Sequence, residues 1–211
     1  MKTWTLPSTI FSHQSVVLPL KIWYPQTFDG TALCLGSMIP DLDLLLPGYR
    51  AFHTLESLVI LLPITLVIVI LVNTQLAGCI ASAAHRPFPK WITQLLRYCG
   101  METWGVLACK RFTARWLIKA IYSTFIGILS HFMLDLPTHD WSSYLRPFFE
   151  GPMPSWFLYS YGFIDVPLYG LFAVSRARIL WWILTIGLGV VALYCLRYMK
   201  NQQLPAKWYQ M

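Results

Sequence analysis

Hydropathy divides the chain into long apolar runs separated by short polar stretches. A bilayer core of about 30 Å is crossed by roughly 20 apolar residues in helix, and three runs meet that requirement. Residues 54–78 are apolar throughout, with Pro63 tolerated as a kink because membrane helices can re-satisfy the freed carbonyl. Residues 116–136 form the second run. The third, 179–196, is bracketed by Arg178 and Arg197 and has Trp181 and Trp182 near one end, as interfacial anchors require. Three further stretches are apolar but short or interrupted: 14–20, 31–47 with Asp41 and Asp43 inside it, and 156–173 with Asp165 and Pro167. These read as partial or reentrant spans. Residues 79–115, with Pro87, Pro89, Gly100 and scattered Lys and Arg, read as a basic, partly helical interfacial loop. The pattern predicts an all-α fold: a polytopic membrane helical bundle, one domain over 1–211, with short or reentrant helices near the N-terminus.

Composition supports the membrane class. Apolar residues make up 56% of the chain and charged residues 12%, where soluble domains carry about a quarter charged. A soluble core of this size lacks the charged shell to cover it. The opening MKTWTLPSTI has one Lys and no apolar run, so no cleavable signal is expected. The five Cys show no C-x-x-C spacing, which indicates neither a disulfide framework nor a Cys zinc site. A net charge of +7 raises nucleic acid as a partner, but the positive residues lie beside the spans, where topology and anionic headgroups account for them. Membrane lipid is the expected partner and nucleic acid is not.

Orientation follows from the basic residues. If 54–78, 116–136, 156–173 and 179–196 all cross, one side receives Lys21, the seven basic residues from Arg86 to Lys119, Arg176 and Arg178, ten in all. The other receives Lys2, Arg50, Arg146, Arg197, Lys200 and Lys207, which is six. The 79–115 loop is then cytoplasmic, although the basic C-terminal tail falls on the opposite side.

Candidate chemistry sits at the ends of these segments. In SHFMLDLPTHDW, His131 and Asp135 are four apart on the last turns of a span and share one helical face, while His139 and Asp140 follow Pro137 on the turn. Ionisable groups inside a span are expensive and usually functional. In GSMIPDLDLLLP, Asp41 and Asp43 stand in an apolar run, and a cation nearby is the economical explanation. His13 and His53 are each a lone His at a segment edge; His85, beside Arg86, reads as a headgroup-facing residue. His53 opens one span and His131 closes the next, so both belong to one membrane face. Asp41 and Asp43 join that face, and a hairpin of 14–20 with 31–47 returns His13 to it. Imidazole and carboxylate together suit a divalent metal, zinc first and manganese or iron as alternatives, in one or two ions.

The order Phe11-Ser12-His13 then Val17-Leu18-Pro19, Gly36-Ser37-Met38-x-Pro40-Asp41, a His opening the next span, and Ser130-His131-x-x-x-Asp135 near Thr138-His139-Asp140 resembles bacterial membrane-bound metal-dependent hydrolases. These are a domain of unknown function related to the LexA-binding inner-membrane hydrolases and similar to zinc-dependent phospholipase C and single-strand nucleases. That resemblance implies a bacterial inner-membrane location. It also implies His13, Asp41, His53, His131, Asp135 and His139 as ligands, with Asp43 and Asp140 in bridging or base roles. Glu56, one turn beyond His53, adds a further acid. In such a site Asp43, Glu56 or Asp140 would take a proton from water, and Arg50 or Arg146 would hold an anionic phosphate at the face opposite the 79–115 loop. The substrate implied is a phosphoester of a lipid or another amphipathic ester. The rival readings are an accessory protein in which the His and Asp network is structural, and a pigment-binding protein, which the Asp residues disfavour.

Overall fold

The computed structural model describes residues 10–45, 52–76, 79, 89–98, 100, 113–137, 154–166 and 170–204. Helix α1 (Ile10–Trp23) and the short α2 (Gly30–Gly36) are joined by a tight turn, and a 3₁₀ segment follows at Ile39–Leu45. A 3₁₀ turn at Leu55–Ser57 leads into α3 (Leu58–Leu71), which runs through Pro63 and ends in a π turn at Val72–Leu76. Then come α4 (Lys90–Tyr98), α5 (Ala114–Asp135), the strands β1 (Ser160–Val166) and β2 (Gly170–Ser175), and α6 (Arg176–Asn201).

Side-chain caps mark where the long helices begin. Thr54, Thr113 and Ser175 each sit in extended backbone and accept a hydrogen bond from the N–H three residues on, satisfying a donor that the first turn leaves open. Among the described residues three helical stretches are long and apolar enough to cross a membrane: Leu55–Leu76, Ala114–Asp135 and Arg176–Asn201. The fold is mostly helical, with two short segments, α1 and α2, packed among these three.

The α1–α2 pair is reentrant with respect to α5. Its turn is closed by Lys21, whose Nζ donates to the carbonyls of Pro25 (2.6 Å) and Phe28 (2.8 Å). Asp29 caps α2 by accepting from Ala32 N–H at 2.9 Å, and its other carboxylate oxygen accepts from Trp116 Nε1 at 3.0 Å. The Asp29 N–H donates to Ser123 Oγ, and the Tyr122 hydroxyl donates to Thr27 O. The turn is therefore pinned beside the first half of α5, whereas the chain leaves α2 towards the far end of the same helix. Asp29→Ala should destabilise the protein by about 1–2 kcal/mol, the loss expected of a helix cap, and Asp29→Asn by less. Unfolding titrations in detergent measure both.

Two glycines let α2 approach α5. A Cβ on Gly127 would meet Leu33 O at 2.5 Å, and one on Gly36 would meet Thr124 O at 2.5 Å. Lipid tails are as apolar as Leu, so helices in a membrane associate through close packing and hydrogen bonds, which small residues permit. Around this contact Ile39, Leu61, Ile128 and Phe132 form one buried cluster, and Ala32, Val69 and Ala120 another.

The stretch 156–173, expected as a partial span, instead contributes to an antiparallel hairpin of β1 and β2. Tyr159, Tyr161, Phe163 and Ile164 favour a strand, Pro167 would break a helix there, and Gly162 at φ 145° accommodates the irregularity between Ser160 and Phe163. The correction moves charges. α6 begins near the end of α5, where Trp181 and Leu184 line one cavity with Leu134 and Asp135. Arg197 and Lys200 then meet α4, with Arg197 stacked 5.2 Å over the Tyr98 ring and Lys200 donating to Arg97 O.

Candidate metal centre

Five donor side chains reach one point from four places in the sequence. His13 comes from the first turns of α1, Asp41 from the 3₁₀ segment after α2, His53 from just before α3, and His131 and Asp135 from the last two turns of α5. All three histidines present Nε2. His131 Nε2 lies 3.1 Å from Asp135 Oδ2, 3.4 Å from His53 Nε2 and 3.9 Å from Asp41 Oδ1. His13 Nε2 lies 3.8 Å from Asp41 Oδ2 and 3.8 Å from Asp135 Oδ1. His53 Nε2 lies 3.7 Å from Asp41 Oδ1 and 3.8 Å from Asp135 Oδ2. Donors about 2.1 Å from a single ion stand roughly 3.0–3.4 Å apart in octahedral or tetrahedral arrangement. Most of the observed separations are wider than that, and His13 faces the carboxylate oxygens opposite to those that face His53 and His131.

Orientation of the central imidazole is fixed from behind. His131 Nδ1 lies 2.9 Å from the Ser37 carbonyl, which can only accept, so Nδ1 carries the proton and Nε2 turns a lone pair towards the other donors. Ser37 is itself held: its hydroxyl donates to Cys34 O and accepts from Gln14 Nε2 at 3.1 Å. The rings of His13 and His131 stack at 4.1 Å. Imidazole lone pairs and carboxylates aimed at one another repel unless positive charge lies among them. The group His13, Asp41, His131 and Asp135 could hold a metal ion, and His53 stands beside it, against His131, Asp41 and Asp135.

Burial is graded across the site. His131, His13 and Asp135 are 0%, 2% and 4% exposed, while the side chains of Asp41 and His53 keep 17% and 15%. The more accessible side thus faces away from the bundle, at Asp41 and His53. Without a metal, burial pushes the Asp41 carboxyl up, but its polar contact with His53, and the charges of His131 and His13 when those imidazoles are protonated, outweigh burial and the repulsion of Asp135. They hold it below the ordinary value of 3.8. A carboxyl lowered on folding contributes stability above pH 3.8 and loses it only as pH falls through the lowered value.

Of the residues expected from sequence, His13, Asp41, His53, His131 and Asp135 converge. Glu56 does not join them: it is exposed on the Leu55–Ser57 turn, pointing out of the cluster's buried set. His139, Asp140, Arg50, Arg146 and the Asp43 side chain lie outside the described residues. Sequence reasoning missed Ser37, whose part is played by a backbone carbonyl. It also missed that α6 stands beside the site, where Thr185 is the one polar interruption that could have flagged it.

Comparison with known proteins places the chain in a family. Residues 6–210 match the family described as Domain of unknown function (DUF4184), and the chain belongs to it. No curated protein and no solved structure matches it.

Proposed function

Starting from membership of a family whose function is unknown, we propose that the protein is a metal-dependent hydrolase working at the non-cytoplasmic face of a membrane, on a phosphoester of a lipid or similar amphiphile. The observation that carries this reading is the convergence of three imidazole Nε2 atoms and two carboxylates, with the His131 tautomer set by the Ser37 carbonyl. Zinc suits the three imidazoles best, and the two carboxylates leave manganese or iron as alternatives. The five donors hold one ion; a second would need Asp43, His139 or Asp140.

A divalent cation bound there would supply Lewis acidity, lowering the pKa of water towards 7 and polarising a phosphoryl oxygen. The chain's own contribution is to hold the donors rigid and to manage the proton. Asp41, ionised and on the accessible side, is placed to take the proton as water oxygen bonds to phosphorus. The ester P–O bond breaks and the proton passes to the departing alkoxide. Chelation should abolish zinc-dependent turnover of bis(4-nitrophenyl) phosphate by the purified protein, and added zinc should restore it; purified wild type without stoichiometric metal overturns the reading.

A structural role for the same cluster is the second reading. It is favoured by the depth of His131, His13 and Asp135, since structural sites are closed whereas catalytic ones keep an open position.

The bacterial inner membrane is the location this reading implies, and the orientation rests on charge. Among the described residues Lys90, Arg97, Arg115, Lys119, Arg197 and Lys200 gather at the end remote from the site, against Arg176 and Arg178 near it. The basic end belongs in the cytoplasm. A reporter fused at residue 100 should therefore be active only as a cytoplasmic fusion, and periplasmic activity there would invert the assignment.

A further inference from the structure

Beside the metal centre lies a half-enclosed cavity with two unlike walls. One is formed by His13, Asp135, Ser12 and Leu134; the other, on α6, by Trp181, Leu184, Thr185 and Leu188. It is small, with room for about one water (about 20 Å³), and the space of about 250 Å³ around it includes its open front.

Three observations say what this cavity takes. His13 and Asp135 are among the most deeply buried donors, so the accessible side at Asp41 and His53 does not serve this flank. Depth is the second. At 1.5 Å per residue, Trp181 and Leu188 lie roughly 8 and 18 Å along α6 from Arg176, which would be level with the upper acyl chains where Arg176 stands at the headgroups. On neighbouring positions Ile183, Ile186 and Val190 are exposed, as a lipid-facing surface requires. The third is Thr185. Thr65 and Thr74 donate to the carbonyl four residues back, at 2.6 and 2.8 Å, the usual resort of a hydroxyl in an apolar helix. Among the described residues Thr185 makes no such bond, and it lines the cavity with His13 and Asp135.

We propose that this cavity seats the upper acyl chain of a membrane-embedded ester, which approaches the metal centre sideways from the lipid between α1, α5 and α6, with the Thr185 hydroxyl meeting the junction of head and tail. The proposal rests on the hydrolase reading for the purpose of the seat, and it adds the route and the residues that select a lipid over a soluble ester.

The test uses the full chain in phosphatidylcholine nanodiscs containing a phosphatidic acid with a diazirine high in one acyl chain. Photolabelling at Leu184 and Leu188 should fall at least fivefold when unlabelled phosphatidic acid is added, while labelling at Ile183 and Ile186, which face bulk lipid, should not. Leu188→Trp should fill the seat and remove the competable labelling without changing zinc content; Thr185→Leu, a smaller change, should do the same if the Trp variant does not fold. Labelling at Leu184 and Leu188 that resists competition, or that survives both substitutions, overturns the proposal. Competable labelling in a protein without zinc would instead sink the hydrolase reading and leave the seat standing.

Discussion

His131→Ala should lower bound zinc from about one equivalent per chain to less than a tenth, measured by elemental analysis of purified protein. His131 is the centre of the cluster: its Nε2 faces Asp135, His53 and Asp41, and it is the ligand whose orientation the protein fixes from behind. Removing it leaves Asp135 buried beside His13 with no donor between them. Losing a group that merely orients a ligand already costs about 10–100-fold in metal affinity, so losing the ligand should cost more. Asp135→Ala should behave alike. His53→Ala should retain part of the metal, because His53 lies at the accessible edge and four donors remain. Glu56→Gln should change nothing. Equal zinc content in wild type and His131→Ala would show that the metal, if any, is held elsewhere. Stripping the ion should also weaken the fold, by about 2.7 kcal/mol where free zinc stands at 100 times its dissociation constant.

Gly127→Leu should be the most damaging change away from the ligands. A single Cβ there would already stand 2.5 Å from Leu33 O, 2.9 Å from Ser37 N and 3.0 Å from Gly36 Cα. These are backbone atoms, which cannot rotate aside, so α2 must move off α5. Overpacking costs about 1–3 kcal/mol when side chains can adjust; against backbone the expected loss exceeds 3 kcal/mol. The damage should reach the metal, because moving α2 carries Ser37 away from His131 and Asp41 away from the cluster. Unfolding titrations and zinc content check this together. Gly187→Ala is the control: nothing lies within 4 Å of a Cβ there, and the change should be tolerated or mildly stabilising.

The long helices could be read in sequence because length and hydropathy are set by the bilayer itself. The candidate donors were legible for a related reason: His131 and Asp135 are costly inside a span, and such a cost points to a function. The same economy failed for 156–173. Its hydropathy suited a membrane, but hydropathy does not distinguish a helix from a hairpin rich in aromatic residues, and the decision lay with Pro167 and the backbone at Gly162. Glu56 is exposed on the Leu55–Ser57 turn and stands outside the His13, Asp41, His131 and Asp135 group. Ser37 could not be found at all, because a carbonyl has no signature in the residue that bears it. The charge count improved once the hairpin replaced a span, for the C-terminal Arg197 and Lys200 then joined the other basic residues at one end.

The pinning of the Asp29 turn to α5 has a consequence for the order of assembly. Asp29 bonds to Ser123, 94 residues later, so the partner that receives the N-terminal hairpin does not exist when the hairpin leaves the ribosome. At about 5–20 residues per second, the interval is on the order of 5–20 s. The described part of α1 and α2, at 14 and 7 residues, is shorter than the roughly 20 residues that cross a bilayer, and its contacts with α5 form only once α5 has been made. Only then can His13 and Asp41 meet His131. Any metal the cluster holds would thus be loaded late, and a nascent chain halted before residue 131 lacks His131 and Asp135.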